Sequence, residues 1–235
     1  MTNIEVLYED DYLLVIDKPV GISVVNENAG ETYTIKDWVK YKYNLQHEKN
    51  GAEDEFEQRY GIVHRLDKET SGVLLIAKKK ETFDYLKGLF KFRRINKEYQ
   101  ALVYGSIAED RFEISAPIKR DKNNGLVYTV DPGGRESVTE FVVISRLTLN
   151  NFDYSYLTAF PKTGRTHQIR VHLRALGHPV VNDIKYATKA QLKLSEGLFT
   201  RMMLHAKRVT FVDWDGKERV FESNCSLEGV FTKIR

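Results

Sequence analysis

A polar run of nine residues, HRLDKETSG at 64–72, lies between two apolar segments of the chain. Imidazole, guanidinium, carboxylate, ammonium and hydroxyl groups follow one another within it. The run therefore concentrates charge and hydrogen-bonding capacity at a point where a chain normally only turns. Asp, Lys, Glu, Ser and Gly are also ordinary turn residues. Composition alone favours a solvated turn, and a catalytic interpretation needs support from the rest of the sequence.

Signatures of the common cofactor-dependent and hydrolytic enzymes are absent from the sequence. No GxGxxG, GxxxxGK[ST], HExxH or GxSxG pattern occurs. His167 and His172 are five residues apart on a predicted helix, which puts them on different faces and disfavours a shared metal ion. The single cysteine, Cys225, excludes an internal disulfide and a CxxC metal site. We therefore expect no metal.

Length and composition predict one globular unit. The chain has 235 residues, of which 42% are hydrophobic and 29% charged, and this is enough for one substantial core. No stretch approaches the roughly 18 consecutive apolar residues of a membrane span. The first residues also lack the order of a signal peptide. The sequence predicts a cytoplasmic protein that does not associate with membranes.

The charge is unevenly distributed along the chain. The formal net charge of +3 only permits a nucleic-acid partner, but residues 78–97 contain eight basic and two acidic residues. Such a run is usually the solvated face of a helix, and contact with nucleic acid is the alternative. The interleaved aromatic residues fit core-facing positions: Phe83, Tyr85, Phe90 and Phe92.

The elements that would position these groups follow from hydrophobic periodicity. Alternating or continuous apolar runs predict strands near Val6–Tyr8, Leu13–Ile16, Val73–Ala77, Tyr99–Tyr104, Thr139–Ser145, Tyr154–Phe160 and Leu204–Phe211. Helical spacing predicts helices over 34–44, 80–91 and 166–177, the last with Thr166 as N-cap and Gly177 as its stop. The polar stretches 45–58 and 120–126 and the DPGG sequence at 131–134 are typical of loops and turns. Strand-rich segments with segregated helices indicate an α+β fold on a largely antiparallel or mixed sheet.

Four further segments accompany the polar run, in order and over nearly the whole chain. They are KPVG at 18–21, NKEYQALVYG at 96–105, TGRTHQIRVHLRALGHPVVND at 163–183 and LHA at 204–206. Together they resemble the RluA family of pseudouridine synthases. The resemblance implies the catalytic fold of that family, with a central sheet, flanking helices and an RNA-binding cleft. Many relatives carry a small N-terminal RNA-binding module that has no counterpart here, so we expect one catalytic domain over 1–235.

The resemblance also implies a reaction and its central residue. These enzymes break the bond between uracil nitrogen and ribose in an RNA uridine, rotate the base and rejoin it through carbon. Every product atom comes from the substrate, so no cofactor and no metal is expected. Asp67 matches the family's catalytic aspartate, which acts either as a nucleophile or as a base. It must stay ionised, and Arg170 matches the family arginine that pairs with it.

Other site residues are carried over from the family motifs. Tyr99 matches the tyrosine that packs on the uracil and transfers a proton, and Leu204 matches the apolar residue on the other side of the base. Arg65 is similar to the arginine that fills or props the site of the extruded nucleotide. His64 either contacts the RNA or closes the loop. The remaining substrate-binding candidates, both in the GRTHQIR motif, are Arg165 and His167.

The expected partner is RNA alone. Structured ribosomal or transfer RNA is the implied substrate, and the resemblance leaves open which of them it is. Lys91, Arg93 and Arg94 are predicted to contact the RNA backbone, since phosphate contacts give affinity without chemistry. We expect a monomer with no obligate protein partner.

Two other functions compete with catalysis on RNA. A catalytically silent RNA-binding or RNA-folding module would use the basic segment, with Asp67 and Arg170 forming only a structural ion pair. Such a module would not need Tyr99 and Leu204 around one aspartate. An aspartate-based hydrolase of small molecules is disfavoured, because no second water-activating carboxylate and no metal set is evident.

Overall fold

The computed structural model describes residues 3–26, 33–43, 54–122 and 124–231. The strands are β1 (Glu5–Glu9), β2 (Leu13–Lys18), β3 (Ser71–Ala77), β4 (Asn96–Tyr104), β5 (Arg111–Ser115), β6 (Ile118–Arg120), β7 (Tyr128–Val130), β8 (Val138–Leu149), β9 (Phe152–Pro161), β10 (Leu204–Val212) and β11 (Glu218–Glu222). The helices are α1 (Ile35–Tyr43), α2 (Glu55–Arg59), α3 (Lys80–Lys91), α4 (Gln168–Ala175), α5 (Lys189–Leu194) and α6 (Glu228–Phe231).

The chain forms two compact units. The first takes the chain up to Ile95 together with Arg208–Ser223, and the second takes Asn96–Lys207 with the residues from Asn224 onward. The chain passes from the second unit to the first within β10. A single catalytic domain over 1–235 stays a prediction.

The first unit is built around β3, whose seven residues SGVLLIA are all buried. The strand order is β1-β2-β3-β10, with β11 paired to β10, and β1, β2 and β3 pair antiparallel. Helix α3 packs on this sheet through Phe83, Leu86 and Leu89, which share a core with Leu75 and Phe211. The sheet therefore gives a rigid base to the polar run that leads into β3.

The second unit contains the longest strands. Its strand order is β10-β4-β9-β8-β5, and β4, β9, β8 and β5 pair antiparallel. A separate hairpin joins β6 and β7. The core is formed by the buried residues of β4, β8 and β9 with α4, among them Leu102, Phe141, Tyr154, Leu157 and Leu173. This core fixes the strand that holds Tyr99 and the helix that holds Arg170.

Most of the predicted elements are confirmed. All seven predicted strands lie in β1, β2, β3, β4, β8, β9 and β10, and α3 has the predicted bounds 80–91. The α+β class with a largely antiparallel or mixed sheet is confirmed too. The prediction missed β5, β6, β7 and β11, and also α5 and α6. The sequences of β5 and β11, RFEIS and ERVFE, are interrupted by exposed, mostly charged residues and read as surface loops, and β6 and β7 are only three residues long.

Two local predictions were wrong. The expected loop 45–58 contains the start of α2, where Asp54 and Glu57 form a capping box that the polar composition concealed. Residues 45–53 lie outside the described residues, as does 123 in the expected loop 120–126. Thr166 is not the N-cap of α4: His167 holds that position, with a φ of 56° and no side-chain cap. Gly177, with a φ of 90°, follows the end of α4 as predicted.

Candidate active site

The segment that leads to Asp67 runs beside β3. The Ala77 N–H donates to the Gly61 carbonyl at 2.8 Å, and the Leu75 N–H donates to Nε2 of His64 at 2.9 Å. The imidazole thus takes the place of a backbone carbonyl beside β3. Its ring also stacks on Phe90 of α3, with centroids 4.6 Å apart. His64 therefore holds the loop, which was one of its two predicted roles, and its contact with RNA stays a prediction.

A tight turn follows at Asp67. The Thr70 N–H donates to the Asp67 carbonyl at 3.0 Å, and β3 begins one residue later. The Lys68 carbonyl inside this turn accepts the Gly21 N–H at 2.9 Å. Asp67 is half-buried and Arg65 is exposed. The aspartate that the family motif singles out is thus carried on a turn whose backbone is bonded at both ends.

Lys18 anchors the same turn from the core. Its side chain is fully buried, and Nζ donates to the carbonyls of Pro19 at 2.8 Å, Ile22 at 2.9 Å and Lys68 at 3.1 Å. A buried ammonium is costly unless its donors are satisfied, and three carbonyls satisfy them. The lysine of the KPVG element therefore joins that element to the Asp67 turn. From the sequence, KPVG was recognised only as part of the family pattern, without this role.

Arg170 is buried and ion-paired within its own unit. It is 3% exposed, and its Nε and Nη2 donate to the two oxygens of Asp183 at 2.7 and 2.8 Å. Asp183 also accepts the Lys185 N–H at 3.1 Å. A bidentate pair of this kind fixes the plane of a guanidinium. The predicted pairing of Arg170 with Asp67 stays a prediction, because the two residues belong to different units.

Asp183 is a candidate site residue that the sequence reasoning did not name. It lies at the end of the quoted HPVVND segment, and no periodicity distinguishes it from a surface acid. It is fully buried, and the N–H groups of Tyr186 and Ala187 donate to its carbonyl. A buried aspartate is found almost only with a partner, and here that partner is Arg170.

Tyr99 and Leu204 share one apolar cluster. Tyr99 lies on β4 opposite Ala159 of β9 and is half-buried, while Leu204 is the first residue of β10 and is buried. Both pack in the core that includes Ile169, the neighbour of Arg170. The structure thus brings these two predicted residues together in the second unit. Their contact with a uracil ring stays a prediction.

The GRTHQIR loop is held by the buried amide of Gln168. Its Oε1 accepts from the Thr163 hydroxyl at 2.6 Å and from the Arg165 N–H at 3.0 Å, and its Nε2 donates to the Val138 carbonyl at 2.9 Å. Arg165 Nε donates to the Glu136 carbonyl at 3.0 Å. Gln168 was not singled out from the sequence, although it lies within the motif that was.

Tyr186 links His167 to Arg170. Its hydroxyl is hydrogen-bonded to Nδ1 of His167 at 2.7 Å, and its ring centroid lies 5.0 Å from the guanidinium carbon of Arg170. His172, by contrast, is fully buried against Thr139 and the Ala116 carbonyl. The two histidines therefore have separate surroundings, as their spacing predicts. Substrate contacts of Arg165 and His167 stay predictions.

The LHA segment contains a buried histidine. His205 follows Leu204, and burial lowers its pKa to about 4, with the positive charges of Arg201 and Lys207 adding to the effect. A hydrogen bond with the Cys225 backbone opposes the shift. His205 is therefore neutral at pH 7.

The basic segment divides into two parts. Its first part is paired with acids: Lys78 contacts Glu9 at 2.9 Å, Lys80 contacts Asp54 at 2.8 Å, and Lys87 contacts Glu55. The second part consists of the exposed residues Lys91, Phe92, Arg93 and Arg94. Within the described chain, no acidic group lies at ion-pair distance from these three cations. The charges of Lys91, Arg93 and Arg94 are therefore not compensated by any described acid.

Among the described residues, no group of three or more His, Cys, Asp or Glu side chains could hold a metal ion. The described helices include none of the length and apolarity that crossing a bilayer requires.

The sequence matches a known family over most of its length. The family model described as RNA pseudouridylate synthase matches residues 12–175, a range that contains Asp67, Tyr99 and Arg170. The ribosomal large subunit pseudouridine synthase C of Buchnera aphidicola is 36% identical over 97% of this chain and 69% of its own. The corresponding synthase D of Borreliella burgdorferi is 39% identical over 78% of this chain. The chain spans 54% of the Borreliella protein.

Solved structures show the same fold. The human protein named RNA Pseudouridylate Synthase Domain Containing 1 superposes with a TM-score of 0.76 at 28% identity, covering 95% of this chain and 84% of its own. A second human protein, named RNA Pseudouridylate Synthase Domain Containing 4, has a TM-score of 0.72 at 22% identity. The match covers 97% of this chain and 93% of the human protein's chain.

Proposed function

The chain belongs to the RNA pseudouridylate synthase family, and we propose that it isomerises uridine to pseudouridine in RNA. The observation that carries this proposal is the family match over 12–175, which includes the three predicted catalytic residues. Membership of this family favours catalysis over a silent RNA-binding module. The anchored turn at Asp67 supports it, because a reacting carboxylate must be held in position.

Asp67 is the reacting carboxylate in this proposal. Either route, addition to the substrate or proton abstraction, requires its ionised form. Arg170 supplies the cation that favours this form. Two of its five N–H groups donate to Asp183, and a guanidinium has the donor capacity to bond a second carboxylate as well. Tyr99 and Leu204 flank the base, and Tyr99 carries the hydroxyl for proton transfer.

The substrate we propose is ribosomal RNA. The relatives in Buchnera and Borreliella are named as ribosomal large subunit pseudouridine synthases. The protein acts as a cytoplasmic monomer without cofactor, metal or obligate protein partner. Arg65, His64, Arg165 and His167 contact the substrate beside the extruded uridine.

Tritium release tests the activity directly. Ribosomal RNA labelled at uridine carbon 5 and prepared from cells that lack the gene should lose tritium to water when the purified protein is added, with EDTA present. Asp67→Asn keeps the shape and removes the charge, so it should lower the rate roughly 10²- to 10⁴-fold or more. An active Asp67→Asn enzyme overturns the assignment of Asp67. Release from transfer RNA and not from ribosomal RNA overturns the proposed substrate.

A further inference from the structure

Phe92 is an aromatic side chain held out in solvent. It is 68% exposed, although its position among aromatic residues fits the core. Phe83 of the same segment is buried, and Phe90 is half-buried, so Phe92 is the exception. Lys91, Arg93 and Arg94 surround it in sequence and are exposed as well. Burial does not explain an aromatic ring at this position.

The backbone around Phe92 is fixed. Phe92 is the C-cap of α3, the Arg93 N–H donates to the Phe90 carbonyl at 3.2 Å, and the Arg94 N–H donates to the Leu89 carbonyl at 2.8 Å. With Arg93 at a φ of 58°, these two bonds form a Schellman motif. Phe92 is therefore presented by a defined helix end and not by an irregular loop.

Arg93 occupies a position that favours glycine. The residue after the C-cap of a Schellman motif adopts the left-handed conformation, which a side chain disfavours and glycine does not. The chain places a cation there instead. The left-handed conformation of Arg93 lowers stability, and its side chain is exposed and adds no packing. We take this combination as a sign that the Arg93 guanidinium binds a ligand.

This helix end is connected to the Asp67 loop within the first unit. Phe90 lies two residues before Phe92 and stacks on His64, and His64 is bonded to β3 at Leu75. Asp67 follows His64 by three residues. The helix end that carries Phe92 is therefore joined to the segment that carries the reacting carboxylate by one ring contact and one hydrogen bond.

We propose that Phe92 stacks on an unpaired RNA base close to the target uridine, while Arg93 and Arg94 bind the adjoining phosphates. The inference rests on the proposed activity on RNA. Extrusion of a uridine leaves its neighbours unstacked, and an aromatic face replaces a lost stacking partner. Uncompensated cations on both sides of the ring suit a polyanion, so RNA and not an apolar protein surface is the occupant.

Three substitutions of Phe92 test the stack. Binding is measured with ribosomal RNA from cells that lack the gene. Phe92→Trp should bind at least as tightly as wild type, whereas Phe92→Leu and Phe92→Ala should both bind roughly 10-fold more weakly or worse. Leucine preserves an apolar contact but not a ring face. A Phe92→Leu protein with wild-type affinity would overturn stacking in favour of an apolar contact or none.

Arg93→Gly separates binding from folding. It should leave the melting temperature equal to or above that of wild type, yet weaken RNA binding and reduce the salt slope by about one. An unchanged affinity and slope would remove Arg93 from the proposal.

Tyr41→Ala is the matched control. Tyr41 is 70% exposed and lies between Lys40 and Lys42 on α1, and those lysines lie over the rings of Tyr60, Trp38 and Tyr43. It should bind RNA as wild type does, and an equal loss at Tyr41 would contradict a specific site at Phe92. If the wild-type protein releases no tritium but needs Phe92 for RNA binding, the proposed activity is wrong and the proposed stacking stands. An active wild type indifferent to Phe92 would overturn the stack alone.

Discussion

At the scale of single residues, the proposed chemistry depends on the buried ion pair that Arg170 forms with Asp183. A guanidinium in the core is stable only when its charge is matched and its donors are bonded. Asp183 provides both, through two hydrogen bonds and full burial. Asp183 is thus a positioning residue for Arg170 and does not itself react.

Asp183→Asn should break the ion pair that positions Arg170. The amide leaves the Arg170 charge without its buried counter-charge, so we expect a loss of about 3 kcal/mol or more in the free energy of unfolding, measured with urea. The single-turnover rate of the folded variant should fall at least about 10-fold while its RNA affinity holds. Glu222→Gln removes the partner of Arg208 in an exposed pair and should cost under about 1 kcal/mol with no change in rate. A wild-type rate in folded Asp183→Asn would show that Asp183 serves stability alone.

At the scale of elements, the Asp67 loop depends on close backbone approach. Gly61 has a φ of 72°, and a Cβ there would lie 1.9 Å from the Ala77 carbonyl oxygen. Only glycine allows the incoming chain to lie against the end of β3. The position of Asp67, six residues later, is set by this approach together with the bonds of His64 and Lys18.

Gly61→Ala should therefore destabilise the Asp67 loop by more than the cost of placing alanine at a positive φ. Gly197→Ala is the matched control, because Gly197 has a φ of 76° and no atom within 4 Å of a Cβ. The control should lose about 1 kcal/mol of unfolding free energy from backbone strain. Gly61→Ala should lose distinctly more and should also lower the rate of tritium release. Equal losses in the two variants would mean that the approach to Ala77 is unimportant.

The sequence pattern predicted those elements that carry a continuous apolar run, such as β3, or a regular apolar repeat, such as α3. Helix α3 was predicted to its ends because Phe83, Leu86 and Phe90 recur at helical spacing. The edge strand β5 carries charges that local pattern cannot tell from a loop. The roles of Asp183 and Lys18 were not predicted, because their partners lie far along the chain. Arg170 is 13 residues from Asp183, and Lys68 is 50 residues from Lys18. The motif residues came from the family resemblance, since spacing alone did not distinguish Asp67 from a turn aspartate.

At the scale of the whole molecule, the proposed site residues are divided between the two units. Asp67 and the helix end proposed to bind RNA belong to the first unit, and Tyr99, Arg170 and Leu204 belong to the second. The proposed activity requires both. Conditions that destabilise either unit should therefore abolish turnover, and acid is one such condition because the second unit buries neutral histidines.

Stability should fall between pH 6.5 and 4. The pKa of His205 is lowered from 6.5 to about 4 chiefly by burial, and burial lowers the pKa of His172 as well. In this window the unfolded chain binds protons that the folded chain excludes, so His205 alone should remove about 3 kcal/mol of unfolding free energy by pH 4. Urea unfolding at several pH values measures this loss. His205→Gln should flatten the profile, and an unchanged slope in that variant would assign the acid sensitivity elsewhere.

The burial of Lys18 has a consequence for measuring motion. All three protons of its ammonium contact carbonyl oxygens, one of them in the Asp67 turn, so an amine-specific reagent reaches Nζ only while those bonds are broken. The modification rate of this one lysine, read by peptide mass spectrometry against the exposed Lys91, therefore counts how often the turn opens. The modification rate of Lys18 is thus a measure, internal to the chain, of how long the conformation that presents Asp67 persists.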